Sequence, residues 1–315
     1  MLYSVNTIVP IFLIVVLGWI LKNKNILDSS FFAGADKFVF NIALPSMLFL
    51  DLVETENISS FNFKLAVFCI GAVLSLFMIL CILVPVCCRD NAKRGAAIQG
   101  IYRSNFAILG TSVIMNMFGE EAAGAIASVL PITVITFNIL AVIALSIFAP
   151  KNKKLSTAEL FKTILFNIVK NPLIIALVLG ILFLLTGFKL PVILGGSLEY
   201  ISDSTLALAL MSLGANIEPK HIKESFAAAI LSSISKTVIV PLVVVTVAAL
   251  LGFRGIELGV ILVLFSSPTA VSSYIMAKNM GSDHNLASQI LLYTTVLSVI
   301  TMFIAIFIVK SLGLI

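Results

Sequence analysis

Charged residues are scarce in this chain of 315 residues. Asp, Glu, Lys and Arg make up 11% of it, against about 25% in a typical soluble domain. Histidine occurs twice and tryptophan once, while 60% of the residues are hydrophobic. The mean hydropathy is +1.16. This composition excludes a soluble globular protein and predicts a polytopic membrane protein.

Motifs for catalysis, metal binding and phosphate binding are also missing. The sequence has no HExxH, no Gly-rich phosphate loop and no paired nucleophile and base. The four cysteines fall in one apolar segment, which predicts buried thiols and neither a disulfide framework nor a metal site: Cys69, Cys81, Cys87 and Cys88. We therefore expect no enzyme, no cofactor and no metal. The net charge of +5 is a topology signal and predicts no nucleic-acid partner.

Ten apolar segments are long enough to cross a membrane, which takes about 20 residues. The connections between them are short, so we expect no inserted soluble domain. The predicted fold class is an all-α polytopic membrane protein with ten transmembrane helices. These spans cover residues 3–21, 30–52, 64–88, 94–118, 122–149, 160–185, 191–215, 222–251, 255–279 and 284–312.

Basic residues are distributed unequally between the two sides of these spans. Twelve lie in loops after odd-numbered spans, four lie on the opposite side, and the remaining four fall within spans. Because lysine and arginine accumulate in cytoplasmic loops, the odd-numbered loops are predicted to be cytoplasmic and both termini outside. The predicted location is the plasma membrane.

Residues of the first half recur in the second half at a nearly constant offset. Pro10–Gly18 aligns with Pro172–Gly180, and Gly119 aligns with Gly281, both at an offset of 162 residues. Two further matches are ITVIT with TTVLS at an offset of 162, and Arg94-Gly95 with Arg254-Gly255 at 160. A repeat of five spans is odd in number, so its second copy enters from the other face. The pattern predicts a 5+5 inverted repeat.

Two polar stretches interrupt the fourth and ninth spans. Arg103–Met115 and Phe265–Ala277 are rich in small residues, and Pro268 lacks the N–H that a helix needs. Non-helical backbone survives in a bilayer only where protein or a wet cavity surrounds it. We predict two broken helices that cross near the membrane midplane, where inverted-repeat transporters bind substrate.

Arg103 lies about nine residues into its span, roughly 14 Å from its start. An intramembrane arginine usually faces the bundle interior, and its planar fork suits a carboxylate; the alternative is a residue that snorkels to the interface. Asn105 and freed backbone amides either hold an anion at a half-helix N-terminus or form a helix contact. The predicted substrate-binding residues are Arg103, Asn105, Gly110, Ser266, Ser267, Pro268 and Thr269.

Four other ionisable residues within spans are candidates for coupling or charge balance. Lys236 lies at the middle of the eighth span among serines and pairs either with substrate or in a structural ion pair. Glu199 and Asp203 are four residues apart and share a helix face. These acids, with Asp36 in the second span, form either a proton path or structural anchors.

Five stretches of the sequence carry a resemblance to a known family: VFNIALPSMLF (39–49), YRSNFAILG (102–110), KNPLIIALVLG (170–180), ALMSLGANI (209–217) and SSPTAVSSYIMAKNMGSD (266–283). On these stretches the chain resembles the auxin efflux carrier family, bacterial permeases related to plant PIN-type carriers and, by fold, to bile-acid sodium symporters. Plant members have a proline at the first crossover, where this chain has Ser104-Asn105. This difference favours a small carboxylate over auxin as the substrate.

The resemblance implies a scaffold of spans 1, 2, 6 and 7 and a transport unit of spans 3–5 and 8–10. The corresponding ranges are 1–63 and 150–221 for the scaffold, and 64–149 and 222–315 for the transport unit. It further implies that Asn105 contacts the substrate carboxylate, that the Pro268 region closes the site, and that the scaffold forms a homodimer.

The expected function is secondary active transport of a small organic anion, malate-like or auxin-like, by an elevator mechanism in the lipid bilayer. One alternative is a sodium-coupled symporter of the bile-acid type. The other is a membrane sensor that does not transport.

Overall fold

The computed structural model describes residues 2–53, 61–149, 157–217 and 219–315. The regular elements in these ranges are all helical. In chain order they are α1 (Leu2–Asn23), α2 (Ser29–Phe38), α3 (Leu44–Val53), α4 (Phe63–Cys87), α5 (Asn91–Tyr102), α6 (Thr111–Phe118), α7 (Ala123–Ile147), α8 (Thr157–Lys170), α9 (Pro172–Thr186), α10 (Val192–Ala215), α11 (Pro219–Ile234), α12 (Val240–Leu250), α13 (Gly255–Ser266), α14 (Ser272–Asn279) and α15 (His284–Ser311).

Several helical stretches of the described chain are long and apolar enough to cross a membrane. Four of them are Phe63–Cys87, Asn91–Ile147, Lys223–Leu250 and His284–Ser311, and a fifth is the pair Phe161–Lys170 and Pro172–Thr186, bent by 60°. The stretch Asn91–Ile147 has 57 residues and contains α5, α6 and α7. A single straight helix of that length would measure about 85 Å, far more than the thickness of a membrane. The chain is thus an all-helical polytopic membrane protein, while the count of ten spans and their 5+5 relation stay predictions.

Two π-helical turns, which are wider than α-helical turns, precede prolines in the predicted second and eighth spans. They cover Val39–Ala43 and Ser235–Ile239, and each ends two residues before a proline, Pro45 or Pro241. In both turns the N–H that follows donates to the carbonyl of the turn's first residue, five positions back. Because proline cannot donate to the carbonyl four residues earlier, the wider turn lets the helix continue past it.

Local backbone features recur in the two halves. The helices α5 and α13 end alike, on extended residues with φ −70° and ψ 152° at Arg103 and φ −60° and ψ 146° at Ser267. Gly119 follows α6 with φ 62°, and Gly281 follows α14 with φ 73°. A positive φ of this kind favours glycine at a helix end. These paired features agree with the repeat seen in the sequence.

The helices pack mainly in two groups. In the first, α1 lies on α10, and α3 lies on α9 and α10. In the second, α4 packs on α5 and α7, α11 on α15, and α12 on α13. Contacts between the groups are made chiefly by α7, which touches α3 and α9, and by α14, which touches α2 and α10. The first group holds helices of the predicted scaffold and the second holds helices of the predicted transport unit, and that division stays a prediction.

Two glycines allow α1 and α10 to lie against each other. A methyl group on Gly18 would overlap the backbone carbonyl of Met211, and one on Gly214 would overlap that of Val15. Small residues at such a crossing let two membrane helices approach closely enough for their backbones to touch. The α1–α10 contact therefore depends on both glycines.

Replacing Gly18 or Gly214 by alanine should destabilise the protein by about 1–3 kcal/mol or more, because the added methyl group meets backbone that cannot rotate away. A methyl group on Gly196, also in α10, would meet no neighbouring heavy atom of the described residues within 4 Å, so Gly196→Ala is the matched control. Alanine has the higher helix propensity, so the control should be neutral or stabilising. Thermal unfolding in detergent measures all three variants. Equal midpoints for the three would show that the helices are not packed this closely.

Candidate functional site

The two predicted interruptions lie against each other inside the helix bundle. The chain leaves α5 after Tyr102 and is irregular over 103–105, and it leaves α13 after Ser266 and is irregular over 267–271. The Asn105 backbone N–H donates to the Pro268 carbonyl at 2.8 Å. A donor freed by one break and an acceptor freed by the other thus satisfy each other, as backbone groups within a bilayer must.

Polar side chains hold this crossing together. The Thr269 backbone N–H donates to Thr294 Oγ1 at 3.3 Å, and the Thr269 and Ser273 hydroxyls are 3.3 Å apart. Ser267 Oγ donates to a carbonyl of α13 at 2.7 Å. A methyl group on Gly110 would lie 3.2 Å from the Ser267 hydroxyl. The small side chains of Gly110 and Ser267 therefore let the two irregular backbone segments pass close to each other.

Arg103 projects from the first break into the protein and is only 2% exposed. Its guanidinium donates to Ser272 Oγ at 2.7 Å and to Asn138 Oδ1 at 3.2 Å, and it contacts Met276 Sδ at 2.8 Å. Its Nε has no hydrogen-bond partner among the described residues. These partners are neutral. A buried cation surrounded by neutral groups is costly, so an anion that entered beside it would be bound strongly.

A cavity of about 70 Å³ lies beside the crossing and is bounded by both helix groups. Its polar lining consists of Asp51, Arg103, Ser104, Asn105, Asn138, Thr205 and Ser272. Its apolar lining includes Leu44, Met47, Leu48, Val134, Phe137, Leu206 and Ile275. Ala107 and Val271, each one residue from the point where helical structure resumes after a break, also line the cavity. Helix N-termini carry partial positive charge, so they favour an anion at the same place as Arg103 does.

Two hydroxyls of the lining are available to a ligand. Ser104 Oγ and Thr205 Oγ1 are buried and lack a hydrogen-bond partner in the described part of the chain. A buried hydroxyl without a partner is destabilising, and a carboxylate in the cavity would accept from such groups. The site therefore combines one cation, amides and hydroxyls with the carboxylate of Asp51. Apart from that carboxylate, its polar lining is a set of donors suited to an oxyanion.

The structure brings only two of the predicted substrate-binding residues to the cavity, Arg103 and Asn105. The others are at the crossing itself, where they join the two breaks without lining the cavity: Gly110, Ser266, Ser267, Pro268 and Thr269. Their predicted contact with substrate stays a prediction.

The predicted charge-balancing residues are spread over three places. Lys236 is fully buried in the wide turn of Ser235–Ile239, which packs on α5, α13 and α15, and its Nζ has no hydrogen-bond partner among the described residues. Asp36 of α2 forms an ion pair with Lys278 of α14. Glu199 and Asp203 are exposed on α10, so they do not join the cavity that Thr205 of the same helix lines.

Sequence reasoning missed Asn138 and Thr205 as lining residues. Asn138 is a single amide within the apolar helix α7, and such a polar residue in a span is a usable signal. Thr205 lies close in sequence to Asp203, but a helix turns about 100° per residue, so the two side chains face different directions.

Apolar helices around a buried polar cavity with two helix breaks are the architecture of membrane transporters. A family model described as membrane transport protein matches residues 3–306. The chain therefore belongs to this family, and its resemblance to the auxin efflux carriers is confirmed. It is a transporter and not an enzyme.

Relatives agree with this assignment. An uncharacterized transporter of Methanocaldococcus jannaschii is 27% identical, over 94% of this chain and 95% of its own length. An uncharacterized transporter of Methanothermobacter thermautotrophicus is 25% identical, over 95% of this chain and 96% of its own length. The auxin efflux carrier component 2 of Oryza sativa subsp. japonica is 27% identical over 40% of this chain and 20% of its own length.

The ion pair between Asp36 and Lys278 gives a stability prediction. The Asp36 side chain is 4% exposed and that of Lys278 22%, so Lys278→Ala leaves a buried carboxylate unpaired and should cost about 2–4 kcal/mol. Adding Asp36→Asn should restore most of this loss, because the uncompensated charge is then gone. The exposed Lys310→Ala is the control, and thermal unfolding in detergent is the measurement. Additive losses in the double variant would show that the pair does not interact.

Proposed function

We propose that this transporter is a secondary carrier of a small organic anion in the plasma membrane. The observation that carries the proposal is Arg103, a buried cation that faces neutral partners at the wall of a polar cavity. A carboxylate is the anion that a guanidinium binds in a bidentate manner. The small size of the cavity, about 70 Å³, favours a small carboxylate over a bulkier auxin-like molecule.

In this proposal the carboxylate lies between Arg103 and Asn105, with Ser272 and Asn138 as further donors. The Asn105 backbone N–H is already bonded to the Pro268 carbonyl, so in this proposal the side-chain amide of Asn105, a residue that lines the cavity, donates to the substrate. The half-helices that begin after each break add their partial positive charge. Neutral donors then fix the orientation of the substrate while Arg103 supplies the charge.

An elevator motion agrees with the position of the cavity. Its walls come partly from α3 and α10 and partly from the first break, α7 and the second break, so sliding one helix group past the other would carry the bound anion across. The ion pair of Asp36 with Lys278 joins α2 to α14. Tyr274 of α14 likewise accepts from Asn216, just beyond α10, at 3.1 Å. We propose that these contacts hold the observed state and open when the groups move.

Lys236 is proposed to balance charge at the crossing. The turn that carries it packs on α5 and α13, two helices whose C-terminal ends meet at the breaks. A lysine near helix C-termini opposes their partial negative charge, which is the task that a bound cation performs in a sodium-coupled carrier. We therefore favour proton or membrane-potential coupling over sodium coupling.

Flux of a radiolabelled small carboxylate into proteoliposomes tests the proposal. Arg103→Gln and Asn105→Ala should each reduce the initial rate about 10–100-fold, since a hydrogen bond to a charged group is worth about 1.5–3 kcal/mol. Replacing sodium by potassium should leave the rate unchanged. Collapse of the rate on sodium removal would support a bile-acid type symporter instead.

Matched controls are available in the same chain. Asn116→Ala removes an exposed amide of α6, and Arg254→Gln removes an exposed arginine before α13; both should transport at the original rate. Unchanged rates for Arg103→Gln and Asn105→Ala would remove these residues from the site. Saturable binding of the carboxylate with no flux or counterflow by the unaltered protein would identify a sensor and end the carrier proposal.

A further inference from the structure

The segment predicted as one sixth span, residues 160–185, is two helices. The chain bends by 60° between Phe161–Lys170 and Pro172–Thr186. Asn171 ends the first helix and caps the second, because its side chain accepts from the Leu173 N–H at 2.9 Å and Pro172 suits a first helical turn. At this angle the 14 residues of α8 advance along the α9 axis by only about 10 Å. This distance is too small for α8 to cross a bilayer core of about 30 Å, so α8 contributes at most the end of a crossing made mainly by the 15 residues of α9.

One face of α8 is held by the protein. The helix packs on α7, and Asn167 Nδ2 donates to Ser146 Oγ of α7 at 2.9 Å. Ile168 packs against the cluster of buried residues that includes Leu173 and Leu177. The helix is therefore fixed in place through this face, with the other faces directed away from the bundle.

A second face of α8 is apolar and uncovered. Phe161, Leu165, Phe166 and Val169 are each more than half exposed. Their spacing of four, five and eight residues puts them on one side of a helix. An apolar side on a helix inclined to its neighbouring span is the pattern of a helix that lies at the membrane surface.

The net charge of α8 complements an anionic surface, because its two lysines outnumber its one carboxylate, Glu159. Lys162 and Lys170 are exposed, and the Lys170 ammonium lies 4.3 Å from the centre of the Phe166 ring, at the edge of the apolar face. Lys162 lies within that face, where a long side chain can bring its charge to the headgroups. In sequence, Lys151, Lys153 and Lys154 precede the helix. These lysines contribute to the side predicted to be cytoplasmic, where anionic phospholipids attract basic residues.

We propose that α8 lies in the headgroup region of the cytoplasmic leaflet, with its apolar face in the lipid and its two lysines on anionic phospholipid headgroups. The helix joins α9 of one helix group to α7 of the other. It thereby ties the junction of the two groups to the membrane surface. This inference does not depend on which substrate the protein carries.

Site-directed spin labelling of the full chain in vesicles tests the position of α8. The four native cysteines are first replaced by alanine, and single cysteines are introduced by Leu165→Cys on the apolar face and Thr163→Cys on the polar face. The label at 165 should collide mainly with oxygen dissolved in the lipid, and the label at 163 mainly with a water-soluble nickel chelate. Equal exposure of both labels to nickel would overturn the proposal. Shielding of position 165 from both reagents, with coupling between labels of two chains, would also overturn it and identify an interface between copies.

Thermal unfolding in vesicles tests the headgroup contact. Adding phosphatidylglycerol to phosphatidylcholine should raise the unfolding temperature, and the double variant Lys162→Gln, Lys170→Gln should lose most of that increase. Lys310→Gln, an exposed lysine at the end of α15, should keep it. An increase that is the same in the double variant and the control would show that α8 does not bind anionic headgroups.

Discussion

Backbone hydrogen bonding within the bilayer is the constraint on which the rest of this structure depends. Two helices stop inside the protein, and each stop frees backbone groups that lipid cannot satisfy. The bond from the Asn105 N–H to the Pro268 carbonyl, at 2.8 Å, joins the two stops. Ser267 and Gly110 are small enough to let the segments meet. Because the crossing must be enclosed by other helices, it brings their polar side chains together and so creates the cavity beside it.

The same enclosure explains the character of the site. Arg103 follows α5 directly, so the break that frees the backbone also directs a cation into the bundle. Its partners Ser272 and Asn138 come from the first residue of α14 and from α7. They orient the guanidinium without neutralising it, because both partners are uncharged. The remaining wall belongs to α3 and α10, helices of the other group. Because the site is shared between two helix groups, any motion of one group against the other changes its shape.

Much of this arrangement was predictable from local sequence. Pro268 and the polar residues around it predicted a broken helix. Arg103 and Asn105 were predicted to bind substrate, and both line the cavity. Other predictions depended on the direction in which a helix face points. The spacing of Glu199 and Asp203 showed that they share a face but not that this face is exposed. Likewise, residues 160–185 are apolar enough to suggest one span, and only the cap at Asn171 shows where the chain turns by 60°.

The sequence by itself determined the class of the protein, because apolar content and span length decide whether a chain enters a bilayer. It also determined where the two crossing helices break, because proline and runs of small polar residues act on the backbone within a few residues of themselves. Only the tertiary structure decided which side chains meet. Asn138 lies 35 residues from Arg103 in the sequence, and Ser272 lies 169 residues from it. Lys278 of α14 forms its ion pair with Asp36 of α2. Such partners are selected by how helices pack and rotate, which no local pattern specifies.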